Sequence, residues 1–135
     1  MKSISRKTAV QLLKIILSAI VVFHVLVLVK VIPYTVVWGG KFPNYEAVLP
    51  YEIASLLLNL SFILLVWFRA KRPASKSGSI GLWLMFGVFA LNTLGNLFAE
   101  TLTEKLIATP VTLGLALLSL RLALKLNHDS LPKAP

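Results

Sequence analysis

The sequence predicts an all-α membrane protein: a four-helix bundle that spans the membrane, with both termini in the cytoplasm. Three observations support this prediction. Hydrophobic residues make up 57% of the 135-residue chain and charged residues 14%, with a mean hydropathy of +0.82, whereas about 25% of an average soluble domain is charged. Four long apolar stretches follow one another along the chain. Eleven of the fourteen Lys and Arg residues fall on one side of them.

Each apolar stretch is long enough to cross a bilayer as a helix. About 20 helical residues span a hydrocarbon core of about 30 Å, and lipid offers no partners for the free backbone groups of isolated strands. Residues 56–58 and 62–66 are apolar without the alternation of a membrane strand. The predicted helices cover residues 9–32, 48–68, 79–98 and 102–124 of a single transmembrane domain, 1–135.

The first helix follows a basic segment and is predicted to end before Pro33. Because its apolar stretch matches the thickness of a bilayer and no Ala-x-Ala site follows, we interpret it as a retained helix, not a cleaved signal peptide. An outer loop over 33–47 follows. Its Tyr34 and Trp38 are typical of anchors at the headgroup level, or they form a cap over a site, with Gly39 and Gly40 supplying a tight turn.

A polar cytoplasmic loop over 69–78, which contains Pro and Gly, separates the second and third helices. The fourth helix is predicted to start at the capping box formed by Thr101 and Glu104. Only a few residues join the third and fourth helices, which predicts an antiparallel hairpin. Small residues with helical spacing predict close packing of the fourth helix, within the bundle or between copies. They are Ala108, Thr112, Ala116, Ser119 and Ala123.

The distribution of Lys and Arg predicts the orientation and the membrane. An excess of basic residues marks cytoplasmic segments, so both termini are expected in the cytoplasm and the protein in a plasma membrane, of the bacterial inner type. The same residues are expected to attract anionic lipids at the cytoplasmic rim. Nucleic acid is not an expected partner, since no stacking aromatics alternate with the basic residues.

Few polar residues lie within the predicted helices, and several share one depth near the outer face. His24, Glu52, Asn92 and Asn96 fall at similar depth, and Glu52, Ser55 and Asn59 share a helical face. Because lipid cannot satisfy amides or carboxylates, these side chains are expected to face inward. The predicted polar cluster, a candidate ligand or proton site, comprises His24, Glu52, Asn59, Asn92, Asn96 and, less closely, Glu100.

The cluster has two interpretations. Asn and Ser in membrane helices commonly serve as hydrogen-bonding contacts between helices, which needs no ligand. A carboxylate such as Glu52 inside a membrane is instead paired, neutral, or part of a proton or cation path. No metal site is predicted, because His24 and the Glu residues lack a ligand spacing. No cofactor is expected: the chain has no cysteine, no Gly-rich phosphate loop and no Gly-x-Ser-x-Gly elbow.

Three segments carry a resemblance to known proteins: residues 34–41, residues 50–55, and residues 92–96 together with Glu104 and Lys105. In these the chain resembles small four-helix bacterial membrane proteins of uncharacterised function. The resemblance implies the same fold and no particular activity. The small multidrug-resistance transporters, also four-helix proteins, have an essential Glu in their first helix, where this chain has only His24. Glu52 therefore cannot take that role by analogy.

Two function classes follow from the sequence. The first is a structural, accessory or interaction protein whose outer loop meets a partner. The second is a small proton-linked transporter or channel, acting as a homo-oligomer, with Glu52 and His24 at its site. An enzyme is the less favoured interpretation, because no nucleophile is identifiable. A homo-oligomer and a different membrane-protein partner both stay open.

Overall fold

The computed structural model describes residues 4–124, which contain helices and no strand. A π-helical turn, Glu104–Ala108, leads directly into the fourth helix, and with it all four helices are long and apolar enough to cross a membrane. The prediction of an all-α chain with four such helices is confirmed. The helices are α1 (Arg6–Leu28), α2 (Tyr45–Lys71), α3 (Lys76–Leu97) and α4 (Thr109–Leu124). Of the residues counted toward the charge asymmetry, Lys2, Lys125, Asp129 and Lys133 lie outside the described residues.

The helices alternate in direction, so the bundle has two distinct ends. At one end, Arg6 Nη2 donates to Arg69 O at 2.8 Å and Ser79 Oγ donates to Ala123 O at 3.3 Å. These bonds join the start of α1 to the end of α2, and the start of α3 to the end of α4. We call this the basic end. The opposite end, which we call the loop end, carries loop 29–44 and the connection 98–103.

Helix α1 begins with a side-chain cap and ends earlier than the sequence predicts. Ser5 Oγ accepts a hydrogen bond from the backbone N–H of Thr8 at 3.1 Å. At the other end, Lys30 adopts a left-handed conformation, with φ of 62°, and the backbone N–H groups of Lys30 and Val31 bond back to the carbonyls of Val27 and Leu26. This Schellman motif stops the helix at Leu28 instead of 32. Proline at position 33 therefore does not end the helix.

Helix α2 is longer at both ends than the predicted 48–68. Asn44 Oδ1 caps it by accepting from the N–H of Ala47 at 2.9 Å, so the helix starts at Tyr45 and shortens the loop predicted over 33–47. Pro50 is accommodated in its second turn. At the basic end the helix continues to Lys71. Arg69, assigned from the sequence to a solvated loop, is instead a buried residue of this helix.

The start of the fourth helix is widened next to a proline. Pro110 has no N–H to donate to the helix. The residue before it, Thr109, donates both its backbone N–H and its hydroxyl to Glu104 O, five residues earlier in the chain. The hydroxyl bond measures 3.1 Å. This five-residue step is the π turn. The small-residue face of α4 lies inside the chain, since Thr112, Ala116, Ser119 and Ala123 are buried; it packs within the bundle.

The bundle consists of two hairpins, α1–α2 and α3–α4, and helices α2 and α3 approach each other closely toward the basic end. A Cβ added to Gly81 of α3 would lie 2.6 Å from Leu65 Cδ1 of α2, so glycine permits this approach. Phe62 and Phe89 meet near the middle, with ring centroids 5.4 Å apart. The main core fills this half and includes Leu13, Leu17, Val66, Leu82, Met85 and Leu115.

Candidate functional site

Glu52 is the centre of the polar contacts in the loop half of the bundle. Its side chain is fully buried. One carboxylate oxygen, Oε2, lies 2.7 Å from Nδ1 of His24, and the other, Oε1, accepts from the indole N–H of Trp38 at 2.8 Å. An ionised carboxylate only accepts, so the His24 contact holds one proton, on Nδ1 when Glu52 is ionised or on Oε2 when it is protonated. The sequence-based cluster thus contains a direct His–Glu pair.

Backbone geometry brings Trp38 to Glu52. Trp38, Gly39 and Gly40 have φ values of 55°, 71° and 67°, three successive left-handed residues. Glycine adopts this conformation readily, but a tryptophan there is held at a cost of about 1–3 kcal/mol. The indole hydrogen bond to a buried carboxylate is a contact that offsets this cost. The two glycines predicted to form a tight turn do form one.

Glu104 anchors the same turn from the other hairpin. Both of its carboxylate oxygens accept from the backbone N–H of Gly39, at 2.8 and 3.0 Å, and Oε2 accepts from the hydroxyl of Thr101 at 2.5 Å. The predicted capping box is therefore half formed. Thr101 Oγ1 accepts from the N–H of Glu104 at 3.4 Å, but the Glu104 side chain bonds the loop. Glu52 and Glu104 thus attach one turn of the loop to α2 and to the π turn before α4.

The rest of the loop packs on itself through aromatic rings. Tyr51 lies 5.4 Å from Trp38 and 4.8 Å from Phe42, measured between ring centroids. The Tyr34 hydroxyl donates to Pro43 O at 3.5 Å. Beneath the loop, Val27, Val37 and Val48 form a second small core. The segment is folded, and it supplies Val36, Val37 and Trp38 to the wall of the cavity described next.

A cavity of about 530 Å³ lies between the two hairpins in the loop half. This volume falls within the range of about 300–1,000 Å³ typical of small-molecule sites. Its walls are mostly apolar, with contributions from Ile16, Ile20 and Phe89 among others. Its polar and ionisable lining residues are His24, Trp38, Glu52, Ser55, Asn59, Asn92, Asn96, Thr103, Glu104 and Thr112. Of the predicted cluster, all members except Glu100 line this one space.

Asn59 brings an unpaired acceptor to the cavity. Its Nδ2 donates to Ser55 O at 2.8 Å, one turn back along α2, whereas Oδ1 is buried without a hydrogen-bond partner among the described residues. The residue is 7% exposed. A buried acceptor left without a donor costs about 1–3 kcal/mol. This oxygen is therefore a place where a ligand donor or a water gains a hydrogen bond.

Asn92 and Asn96 line the α3 side of the cavity in different ways. Asn96 Nδ2 donates to Thr112 Oγ1 at 3.4 Å, which fits the interhelical contact expected of a structural amide. Thr93 also donates to Thr112 Oγ1, at 3.0 Å. Asn92 is exposed, and its amide makes no hydrogen bond to another described residue. Asn96 thus has a packing role between helices, whereas the amide of Asn92 is open to solvent or to a ligand.

Glu100 does not belong to the cluster in the structure. Helix α3 ends at Leu97, so the helical phase that would align Glu100 with Asn92 and Asn96 does not continue to it. Its side chain is exposed, and Oε1 lies 3.6 Å from Nζ of Lys41. Glu104, which the sequence presented only as a capping residue, lines the cavity instead. The Thr101-x-x-Glu104 spacing predicted a helix cap there, and neither it nor the resemblance that includes Glu104 indicated a place in the cluster.

The arrangement can hold a proton and accept hydrogen bonds within an apolar space. Glu52 and Glu104 provide carboxylates and His24 provides an imidazole, while no Lys or Arg lines the cavity in the part of the chain that the structure describes. No group of three His, Asp or Glu residues between 4 and 124 is arranged to hold a metal ion. Glu52 and His24 therefore offer acid–base chemistry and hydrogen bonding.

Comparison with family models, curated proteins and solved structures gives no match for this chain. The resemblance to small four-helix bacterial membrane proteins stays a prediction. The contacts of the site are therefore what indicates a function for this protein.

Proposed function

We propose that the protein is a small membrane carrier that binds a molecule in the cavity between its hairpins and couples this binding to a proton on the Glu52–His24 pair. The observation that supports this proposal most is a fully buried carboxylate, paired with an imidazole, on the wall of a mostly apolar cavity. Ionisable groups inside membrane helices commonly mark proton or substrate paths. A concave apolar space with few convergent polar groups is typical of small-molecule sites.

The chemistry follows from the shared proton. When Glu52 is ionised, its oxygens accept from His24 and Trp38, and a carboxylate has lone pairs left for a further donor. A ligand donor bound to Glu52 stabilises the ionised form, whereas a proton on Glu52 removes the negative charge and leaves a weaker acceptor. Ligand and proton therefore compete, and such competition is what a proton-linked carrier requires.

Infrared difference spectroscopy on the protein in lipid tests this proposal. A pH change is expected to produce a carboxyl band that disappears in Glu52→Gln and changes in His24→Ala. Glu46→Gln is the matched control, because Glu46 is an exposed residue in the first turn of α2. Absence of any Glu52-dependent band between about pH 4 and 9 would contradict proton exchange at this site.

The second candidate is an accessory or interaction protein whose polar residues are structural. The specific observation in its favour is that Glu52 and Glu104 both accept hydrogen bonds from the turn 38–40. Both carboxylates therefore hold the loop in place. In that case Glu52→Gln lowers stability and leaves the infrared spectrum without a titrating band. The aromatic loop is then the proposed contact surface for a membrane-protein partner.

We also propose an orientation and a membrane for the protein. The loop end faces outward and the basic end faces the cytoplasm of a plasma membrane of bacterial type, because the basic residues collect at the latter. Anionic lipids at the basic end and assembly into a homo-oligomer belong to the same proposal. Light scattering of the purified protein measures the oligomeric state, and cosedimentation with vesicles of differing phosphatidylglycerol content measures the lipid preference.

A further inference from the structure

The cavity has several openings, since exposed lining residues also lie on α1 and in the π turn before α4. The opening between α2 and α3 is the one that carries an amide, Asn92. The two helices touch at Phe62 and Phe89. One turn nearer the loop end, Leu58 and Asn92 both line the cavity, yet both are exposed, Leu58 by 40%. A side chain that lines a cavity and is also exposed lies at its mouth. The seam between α2 and α3 is therefore closed at the phenylalanines and open one turn above them.

This opening lies within the membrane-spanning part of the helices. Asn92 is five residues from the end of α3, which corresponds to about 7 Å along a helix axis. At that depth the surroundings of the bundle are lipid, not bulk water. A molecule that uses this mouth therefore enters from the bilayer. The Asn92 amide at the mouth is placed to bond the polar group of such a molecule.

The polar groups on the wall select the chemistry of the head group. Asn59 Oδ1 is an unpaired acceptor, and it lies two turns from Glu52 on the same face of α2. The ionisable lining residues are two carboxylates and one histidine, and no Lys or Arg compensates them among the residues described. Such a wall favours a head group that donates hydrogen bonds and carries no negative charge.

Resting on the proposed function, we infer that the ligand is a single-chain amphiphile with an amine head, which enters sideways from the lipid between α2 and α3. Its amine bonds Asn59 Oδ1, the unpaired acceptor next to the mouth, and the negative charge of the ionised Glu52, two turns further along α2, favours a cationic head. Its chain lies against the apolar side chains of the cavity, such as Ile16 and Phe89.

Fluorescence of Trp38 tests the ligand class. The chain has three Trp residues, so Trp67→Phe with Trp83→Phe leaves Trp38, which bonds Glu52, as the reporter. With the protein in phosphatidylcholine nanodiscs, dodecylamine is expected to change Trp38 emission saturably. Dodecanoate, with an equally long chain and an anionic head, is expected to bind at least about ten-fold more weakly, given the cost of unpaired buried acceptors. Equal or stronger binding of dodecanoate would overturn the inference.

Three controls make the result specific. A variant that retains only Trp83, on the exposed surface of α3, reports unspecific partitioning and should show no saturation. Butylamine, which has the head without the chain, should not bind measurably. Asn59→Leu should weaken dodecylamine binding without unfolding the protein, because leucine keeps the branching at Cγ and the one described bond that is lost goes to Ser55 O within α2. Unchanged binding in that variant would contradict the assigned head-group contact.

Stopped-flow fluorescence tests the entry route. Asn92→Phe narrows the mouth and is expected to slow dodecylamine association several-fold, whereas Leu91→Phe, on the neighbouring exposed position of α3, should not. Equal association rates in the two variants would overturn lateral entry. Failure here is distinguishable from failure of the proposed function: a Glu52-dependent infrared band without dodecylamine binding contradicts only the ligand class, whereas binding without the band contradicts only the proton coupling.

Discussion

The polar side chains of the loop half are of two kinds: those that are hydrogen-bonded within the protein, and those with a polar atom still available to a ligand. Glu104 and Asn96 are bonded to the loop and to α4, and Glu52 is bonded to both His24 and Trp38. Asn59 differs, because one of its two polar atoms has no described partner. Low dielectric surroundings make a satisfied contact strong and an unsatisfied one costly. A side chain with an unpaired polar atom is therefore a better indication of a ligand site than one whose polar atoms are all hydrogen-bonded.

Replacing Asn59 with Leu is expected to raise the free energy of unfolding by about 1–2 kcal/mol, because it removes a buried acceptor without a donor. Chemical denaturation in mixed micelles measures the change. Ser61→Ala serves as the control, since the exposed Ser61 only bonds back to its own helix, and it should shift stability by less than about 0.5 kcal/mol. A destabilised Asn59→Leu protein would mean that Oδ1 is already bonded to a water.

At the scale of elements, loop 29–44 acts as a brace between the two hairpins. Its turn 38–40 bonds to α2 through Glu52 and to the π turn through Glu104. Tyr45 at the start of α2 donates its hydroxyl hydrogen to Leu28 O, and Lys30 Nζ lies 4.3 Å from the Tyr45 ring centroid. The loop is therefore fixed at its ends and at its middle, over a cavity that separates the helices below it.

Glu104→Gln is expected to loosen this brace. The charged acceptor of two bonds from Gly39 is lost, which should lower the free energy of unfolding by about 1–3 kcal/mol and speed amide exchange at residues 38–40. Hydrogen–deuterium exchange in nanodiscs measures the second effect directly. Glu100→Gln is the matched control, because that exposed residue contacts only Lys41 at 3.6 Å. Identical exchange in both variants would contradict the bracing role.

On the scale of the whole molecule, the two ends of the bundle differ in packing. At the basic end, the buried Arg69 donates to Ser75 O at 2.9 Å and to Leu122 O at 3.4 Å, and accepts a bond from Arg6 at its own carbonyl. Arg69, a residue of α2, thereby bonds to α1, to α4 and to the N-cap residue of α3. The carbonyl ends of α2 and α4 favour a cation at this position. The bundle is thus filled by its main core toward the basic end and hollow toward the loop end.

Cysteine labelling tests the orientation of this asymmetric bundle. The chain has no native cysteine, so single variants report cleanly. In intact cells a membrane-impermeant maleimide is expected to label Thr35→Cys, in the loop, and to label Ala74→Cys, in the turn at the basic end, only after permeabilisation. Both positions are exposed. The reverse pattern would place the basic end outside and contradict the proposed orientation.

Hydropathy and charge determined the helical architecture. The free energy of moving each residue into lipid is largely a local property that adds along the chain, so the four apolar stretches predicted four helices within a few residues of their observed bounds. Depth and helical phase also predicted that His24 and Glu52 would lie near each other, because an intramembrane carboxylate requires an inward partner. In the structure, Nδ1 of His24 lies 2.7 Å from Oε2 of Glu52.

Tertiary structure alone decided which atoms meet at the loop end. The left-handed Lys30 that ends α1, the Trp38 bond to Glu52 and the Gly39 bond to Glu104 depend on contacts between segments far apart in sequence. The same applies to Glu100, which left the cluster because α3 ends before it. Local composition specifies which segments enter a membrane, but hydrogen-bond partners and cavities depend on how the hairpins pack against each other.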